Sequence, residues 1–194
     1  MIKKRIIVKL YKYFNNIKIR MNGIKLGCNA NIIGPIFIQK HRNSDVKIGD
    51  KFSASSGNSY NPISRNICMS ITVNEHAKLL VGDNCGFSSP CIWAHKAIII
   101  GNNVNIGGDC ILIDSDCHSI SYSDRRSSKI DKINTVSSKI EIEDDVLIGA
   151  RCIILKGVTI GARSIIGAGS VVSKSIPCDH IAAGNPCKVI KKIN

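Results

Sequence analysis

The sequence predicts an all-β fold, a parallel β-helix in which short strands turn corners and climb as a prism-like solenoid. Three observations predict it. First, from Ile148 to Val172 an aliphatic residue occupies every sixth position (Ile148, Ile154, Ile160, Ile166 and Val172), and glycine follows three of the five. Six matches neither the helical 3.6 nor simple alternation, but it suits an extended chain that bends after each short strand. Second, a small or β-branched residue comes four positions after each aliphatic: Val104 and Cys110, then Val146, Cys152, Val158, Ser164 and Ser170. One inward column would fill the axis and the other would fit tight corners where bulk clashes. Third, 44% of the 194 residues are apolar and only 5% aromatic, as narrow coils packed by Ile and Val require.

The elements follow in chain order. Residues 1–21 carry Lys3, Lys4, Arg5, Lys9, Lys12, Lys18 and Arg20 with no acid, while Ile2, Ile6, Leu10, Phe14 and Ile17 recur at helical spacing. This predicts a basic amphipathic helix that either covers the open end of the first coil or lies on an anionic membrane surface, peripheral to the cytoplasmic membrane. Its lysines interrupt every apolar run, which argues against a signal peptide or a spanning helix and for a cytoplasmic protein. Nine cysteines without a CxxC pair, several at repeat corners, read as small fillers in a reducing compartment.

A solenoid domain is expected over 22–176. Gly27 to Ile48 and Ile71 to Val81 are irregular early coils, and Ser53 to Met69 is polar and suggests edge loops without chemistry. Ile100, Ile106 and Leu112 form a first regular run; the period breaks after Leu112 and resumes by Val136 and Ile142. The interval 119–138 has no periodic aliphatics and is long for a structureless connection, so it should protrude. It is either a surface insertion or an arm over an active site, with Arg125, Arg126, Lys129 and Lys132 able to meet an anionic acceptor. Residues 177–194 form a C-terminal tail.

Chemistry concentrates at the break. The stretch IGGDCILIDSDCHSI sets His118 just before the protruding interval, preceded by Asp114 and Asp116. A neutral imidazole, with an ordinary pKa near ~6.5, can take a proton from a hydroxyl, so His118 is a candidate general base. Gly149-Ala150 and Gly167-Ala168 lie eighteen residues apart, one coil of three hexapeptides, and should stack at one corner where a linear ligand arm could pair with backbone groups.

The six-residue repeat resembles that of the left-handed β-helix acyltransferases over roughly residues 22 to 194. The acid-rich strand end Ile113, Asp114, Asp116, His118 is similar to the catalytic segment of the galactoside, maltose and polysaccharide O-acetyltransferases. The resemblance implies that Asp116 orients the imidazole or holds the acceptor. In VGDNCGFSSPCIWAHKAIIIG, Ser88, beside Ser89, stands where the galactoside and maltose enzymes carry Asn near the thioester, as in the polysaccharide-modifying branch. A hydroxyl there can still donate to an oxyanion. His95 in this segment reads as an edge residue or as a liner of the acceptor pocket.

IGAGSVVSKSIP and AAGNPCKVI resemble the acetyl-coenzyme A segments of the family. The resemblance implies that acetyl-coenzyme A is the cosubstrate and that Ala150 and Ala168 make main-chain contacts to it. It also places Ser173 and Lys174 at the nucleotide end, with Lys188 and Lys191 as partners of the phosphates. Lysine keeps the charge that arginine would bring but loses its bidentate geometry. Leu147 departs from the family's common Trp and removes an aromatic surface. The formal charge of +13 suits anionic ligands, and without an aromatic or helical reading module nucleic acid is not expected. Leu147 with Ile165 and Ile153 with Val171 form outward apolar columns, matching the trimers, with sites between subunits, that the resemblance implies.

The expectation is therefore an O-acetyltransferase acting on a sugar hydroxyl of a surface-polysaccharide unit or its precursor, without metal. An amine acceptor, a metal-dependent hydratase and a non-catalytic binding solenoid remain the alternatives; the hydratase would need three convergent histidines, and none lies near His118 in sequence.

Overall fold

In a computed structural model, which describes residues 2–57, 59–63 and 67–194, the chain forms a left-handed parallel β-helix. Successive strands visit three faces in rotation. The first face runs from Lys25–Leu26 through Asp45–Ile48, Lys78–Val81, Ala97–Ile100 and Ile140–Ile142 to Thr159–Ile160. The second runs from Asn31–Ile33 through Ser53–Ser55, Gly86–Ser88, Asn105–Ile106, Leu147–Ile148 and Ile165–Ile166 to His180–Ala183, and the third from Ile36–Lys40 through Met69–Val73, Cys91–Ala94, Ile111–Ile113 and Ile153–Leu155 to Val171–Val172. Neighbours on each face are parallel, except that the last strand, Lys188–Lys192, folds back antiparallel on His180–Ala183 and closes the second face.

The inward columns explain the periodicity. Ile71, Ile92, Leu112, Ile154 and Val172 stand opposite one another on the third face, and Ile106, Ile148, Ile166 and Ala182 on the second, all buried. Val104, Cys110, Val146, Cys152, Val158, Ser164 and Ser170 fill the corners and are likewise buried. The two serines avoid a desolvation cost because their hydroxyls donate to the carbonyls of Pro177 (2.7 Å) and Gly167 (2.5 Å). None of the nine cysteines is in a disulfide.

The early coils, irregular in sequence, are in register in space. Partner residues are 22 apart for Lys25 and Lys47, 33 for Asp45 and Lys78, 42 for Ile98 and Ile140, and 18 for Glu141 and Thr159. Insertions at the edges lengthen individual coils and scramble the linear period while the strands keep their pairing. Val136 differs from expectation: it is 50% exposed and outside any strand, and the inward alternation resumes with Ile140 and Ile142. Its carbonyl accepts the Asp116 N–H (3.0 Å), so Val136 belongs to the stem of the insertion, which the Ser115–Ser137 bridge closes. The insertion itself is ordered, with a helical turn at Asp124–Arg126 and a helix over Ser128–Asn134.

Helix α1 (Ile2–Met21) packs across the first coil. Ile19 is buried there, and the Asn15 side chain donates to the carbonyls of Ile32 (3.1 Å) and Gly34 (2.9 Å), satisfying an edge that a neighbouring coil would otherwise cover. The side chains of residues 2–5 lie outside the described residues. Leu10, Tyr13 and Phe14 remain exposed, and among the described residues no helix is long and apolar enough to cross a membrane.

Candidate active site

Three faces meet at three edges, and the candidate residues divide between two of them. Where the second face turns into the third, the backbone of consecutive coils comes so close that side chains are excluded. A Cβ on Gly107 would lie 2.5 Å from the Ala150 nitrogen, and one on Gly149 would lie 2.5 Å from the Ala168 nitrogen. The corner is therefore a smooth strip of backbone, with Ala150 and Ala168 stacked along it. Ser88 ends its strand at the same edge and shares with Ala150, Gly149, Gly107 and Leu147 a cleft of about 460 Å³. Ile63 also lines this cleft. It comes from the polar Ser53–Met69 stretch, to which the sequence assigned no chemistry; an isolated aliphatic in a loop gives no periodic signal. Ser89, next to Ser88, is buried in the left-handed region (φ 51°), where its hydroxyl donates to the Ser55 carbonyl (3.2 Å) and accepts from the Gly57 N–H (3.2 Å). It is a structural tie.

His118 sits at a different edge, where the third face returns to the first. Its side chain is 69% exposed, and its Nδ1 lies 2.7 Å from Oδ2 of Asp131. The other oxygen of that carboxylate accepts the Ser119 N–H at 2.6 Å. Both contacts, the imidazole's first, hold the Asp131 carboxyl below its usual range, so it stays ionised. With Nδ1 on a carboxylate, the neutral imidazole carries its proton there and presents Nε2 as the acceptor.

Asp131 belongs to α2 (Ser128–Asn134), inside the protruding interval. Asp116, expected to orient the imidazole or hold the acceptor, pairs with Lys156 (3.4 Å), and the carboxylate on the imidazole is that of Asp131. Sequence reasoning missed Asp131: an acid in an aperiodic arm is distinguishable only once the arm folds back. Arg125, expected to face an anionic acceptor, donates to the carbonyls of Ser119 (2.7 Å) and Ile120 (2.8 Å) and so braces the arm. Arg126 lies over the Tyr122 ring.

Asp114 is fully buried and accepts the backbone N–H groups of His95 (2.6 Å), Lys96 (2.8 Å) and Ala97 (2.6 Å), so it shapes the turn of the coil below. Cys117 faces His95 (3.9 Å), and burial, then Asp114 and Asp116, push its thiol up. A thiol so held is a poor nucleophile.

The remaining candidates do not form one cluster. Ser173 and Lys174 follow the Val171–Val172 strand at the edge that carries His118, while Lys188 and Lys191 lie on the exposed terminal strand of the second face. Within one chain, the smooth edge with Ser88, Ala150 and Ala168 is thus separate from the edge with His118. Outward apolar columns flank the smooth edge: Leu147 and Ile165 on the second face, and Ile111, Ile153 and Val171 on the third. Leu147 is 46% exposed.

Residues 139–174 match the model of the bacterial transferase hexapeptide (six repeats), a span that includes Ala150 and Ala168 but not Ser88 or His118. The chain is similar to a galactoside O-acetyltransferase of Lactococcus lactis, 43% identical over 97 residues, which is 50% of this chain and 44% of that protein. It is also similar to a 2,3,4,5-tetrahydropyridine-2,6-dicarboxylate N-acetyltransferase of Staphylococcus aureus, 51% identical over 55 residues, 28% of this chain and 23% of that one. The matches thus span less than half the length of these two relatives. Among solved structures, a galactoside acetyltransferase in complex with coenzyme A superposes with a TM-score of 0.52 at 27% identity, covering 93% of this chain and 70% of that one.

Proposed function

We propose that this chain, built from the hexapeptide repeat of bacterial transferases, moves an acetyl group from acetyl-coenzyme A to a sugar hydroxyl, with a unit of a surface polysaccharide or its precursor as acceptor. The observation that carries this reading is the His118–Asp131 pair: an exposed imidazole, locked through Nδ1, with Nε2 as its remaining acceptor. Nε2 takes the proton of the acceptor hydroxyl as the hydroxyl oxygen attacks the thioester carbonyl, forming the C–O bond. The hydroxyl of Ser88 donates to the oxyanion of the tetrahedral intermediate, and the C–S bond then breaks as the imidazolium returns its proton to the thiolate. No acyl-enzyme is needed. The strip along Ala150 and Ala168 accepts the pantetheine arm, whose amides pair with corner backbone, and Ser173, Lys174, Lys188 and Lys191 meet the nucleotide end.

Because Ser88 and the strip occupy one edge and His118 another, the complete site forms between neighbouring subunits of a homotrimer. The apolar columns flanking the smooth edge support that packing, since a partner's His118 edge seated there would cover them. The exposed apolar residues of α1, interspersed with Lys9, Lys12 and Lys18, support a peripheral contact with the cytoplasmic membrane surface.

An amine acceptor, on an amino sugar or another small molecule, is the second reading, favoured by the similarity to the S. aureus N-acetyltransferase; the longer galactoside match supports the hydroxyl. The test is acceptor-dependent release of thiol from acetyl-coenzyme A with sugars and amino sugars, followed by mild alkali on the product. An ester is cleaved and an amide survives. A product stable to alkali contradicts O-acetylation, and no thiol with any acceptor contradicts acetyl transfer.

A further inference from the structure

The edge that carries His118 continues along the two preceding coils as a polar trough. Its wider part, about 600 Å³, is lined by His41, Thr72, Asn74, Glu75, His95 and Lys132. A narrower part of about 270 Å³ shares Asn74, His95 and Lys132 and adds Asp131, the carboxylate that holds His118. The shared lining makes the two parts continuous, so the trough leads to the imidazole. Trp93 adjoins the trough through its neighbours: its strand partner Thr72 and its contacts Asn74 and His95 all line it.

The indole is 37% exposed, although nothing in the repeat requires an aromatic on an outer face. It is held firmly. Its N–H donates to Asn74 Oδ1 (3.1 Å), the Asn74 amide pairs with His95 Nδ1 (3.0 Å), and the His95 ring lies 4.7 Å from the indole. The backbone of His95 is fixed in turn by buried Asp114. Such a chain locks the ring before any ligand arrives, which lowers the ordering cost of binding. The chemistry around it, amide, carboxylate, imidazole and ammonium beside an aromatic face, suits a ligand with hydroxyls at its rim and C–H groups on its faces, which is a pyranose. Trp93 pairs in register with Ile113, the last residue of the strand that leads to His118, so it stands one strand spacing, about 4.8 Å, from that strand end. A single hexose at His118 would leave most of the trough empty.

We propose that the trough is an extended acceptor subsite, which receives a glycan of two or more sugar units with the reacting unit at His118 and the preceding unit laid on Trp93. This rests on the sugar-acceptor reading above and adds chain length to it.

Trp93 is the only tryptophan of the chain, so its emission reports the trough without any turnover. The probes are galactose, glucose and N-acetylglucosamine and their oligomers of two to four units, titrated without acetyl-coenzyme A and then assayed with it. The expected result is a change in emission with at least one series, with affinity rising about tenfold from one unit to three. Trp93→Ala should raise KM for the trimer about tenfold, while Trp93→Phe, which keeps the stacking face, should retain most of the preference. Constant emission across all series overturns the proposal, as it would if a segment of a second copy fills the trough. Monosaccharide acetylation with no dependence on chain length also overturns it while leaving the sugar reading intact; thiol release with no acceptor of any length is the separate failure of that reading.

Discussion

Asp131 and His118, thirteen residues apart, meet at 2.7 Å because the protruding interval folds its helix back onto the strand end that precedes it. The arm therefore orients the imidazole. Asp131→Ala should leave the fold intact and lower kcat by about 10²-fold with little change in the KM for acetyl-coenzyme A, as expected when a reacting group loses its alignment. Steady-state kinetics check this; unchanged kcat would mean that the carboxylate only anchors the arm.

The same pair sets a pH dependence. The Asp131 carboxyl lies below its ordinary value when folded, so the stability it lends the arm is fully present above the ordinary carboxylate range and is lost only as pH falls through the lowered value. Limited proteolysis of the arm should thus stay constant from neutrality to below pH ~4 and rise only under stronger acid. In Asp131→Asn the cleavage rate should be raised from neutrality down to that acid range, where the two proteins should converge.

His95 shifts downward because burial disfavours its charged form, against the opposing pull of Asp114. Its cation, facing the Trp93 indole, Asp114 and the Cys117 thiol, should form only below the ordinary histidine range of ~6.5. Because the unfolded chain protonates first, stability falls as pH drops below that ordinary value. A protonated imidazole quenches indole emission, so the Trp93 signal should fall with a midpoint below 6.5 and the transition should vanish in His95→Gln.

The smooth edge makes a sharper steric prediction. Gly149→Ala would drive its Cβ to 2.5 Å from the Ala168 nitrogen, a backbone atom that cannot move alone, and should cost about 1 to 3 kcal/mol in urea unfolding and weaken coenzyme A binding. Gly169→Ala meets no atom within 4 Å but has a φ of 74°, and should cost only about 1 kcal/mol.

The regular coils were legible in the sequence because their inward columns repeat. Ile148, Ile154, Ile160 and Ile166 and the corner residues between them announced both fold and spacing, and the count of eighteen placed Ala150 beside Ala168. The period failed where coils carry insertions: Val136 kept the phase by coincidence and serves the stem, and the early coils kept their pairing at irregular spacing. The site was half legible. His118 stood out at the break, but Asp131, Ile63 and the Trp93–Asn74–His95 chain arise from contacts between coils of unequal length, which no linear period encodes.

Separation of Ser88 from His118 onto different edges leads to a prediction about assembly. Leu147→Glu, at an exposed apolar position beside the smooth edge, should convert a three-chain particle to single chains in sedimentation equilibrium and lower activity with it. A wild-type mass of one chain would contradict a shared site.

The most direct measurement is the rate of acceptor-dependent thiol release from acetyl-coenzyme A by the wild type and by His118→Ala, with coenzyme A binding measured on both. The account predicts a fall of about 10² to 10⁴-fold in kcat with binding preserved. Equal turnover by the two proteins would contradict His118 as the base and, with it, the mechanism built on that edge.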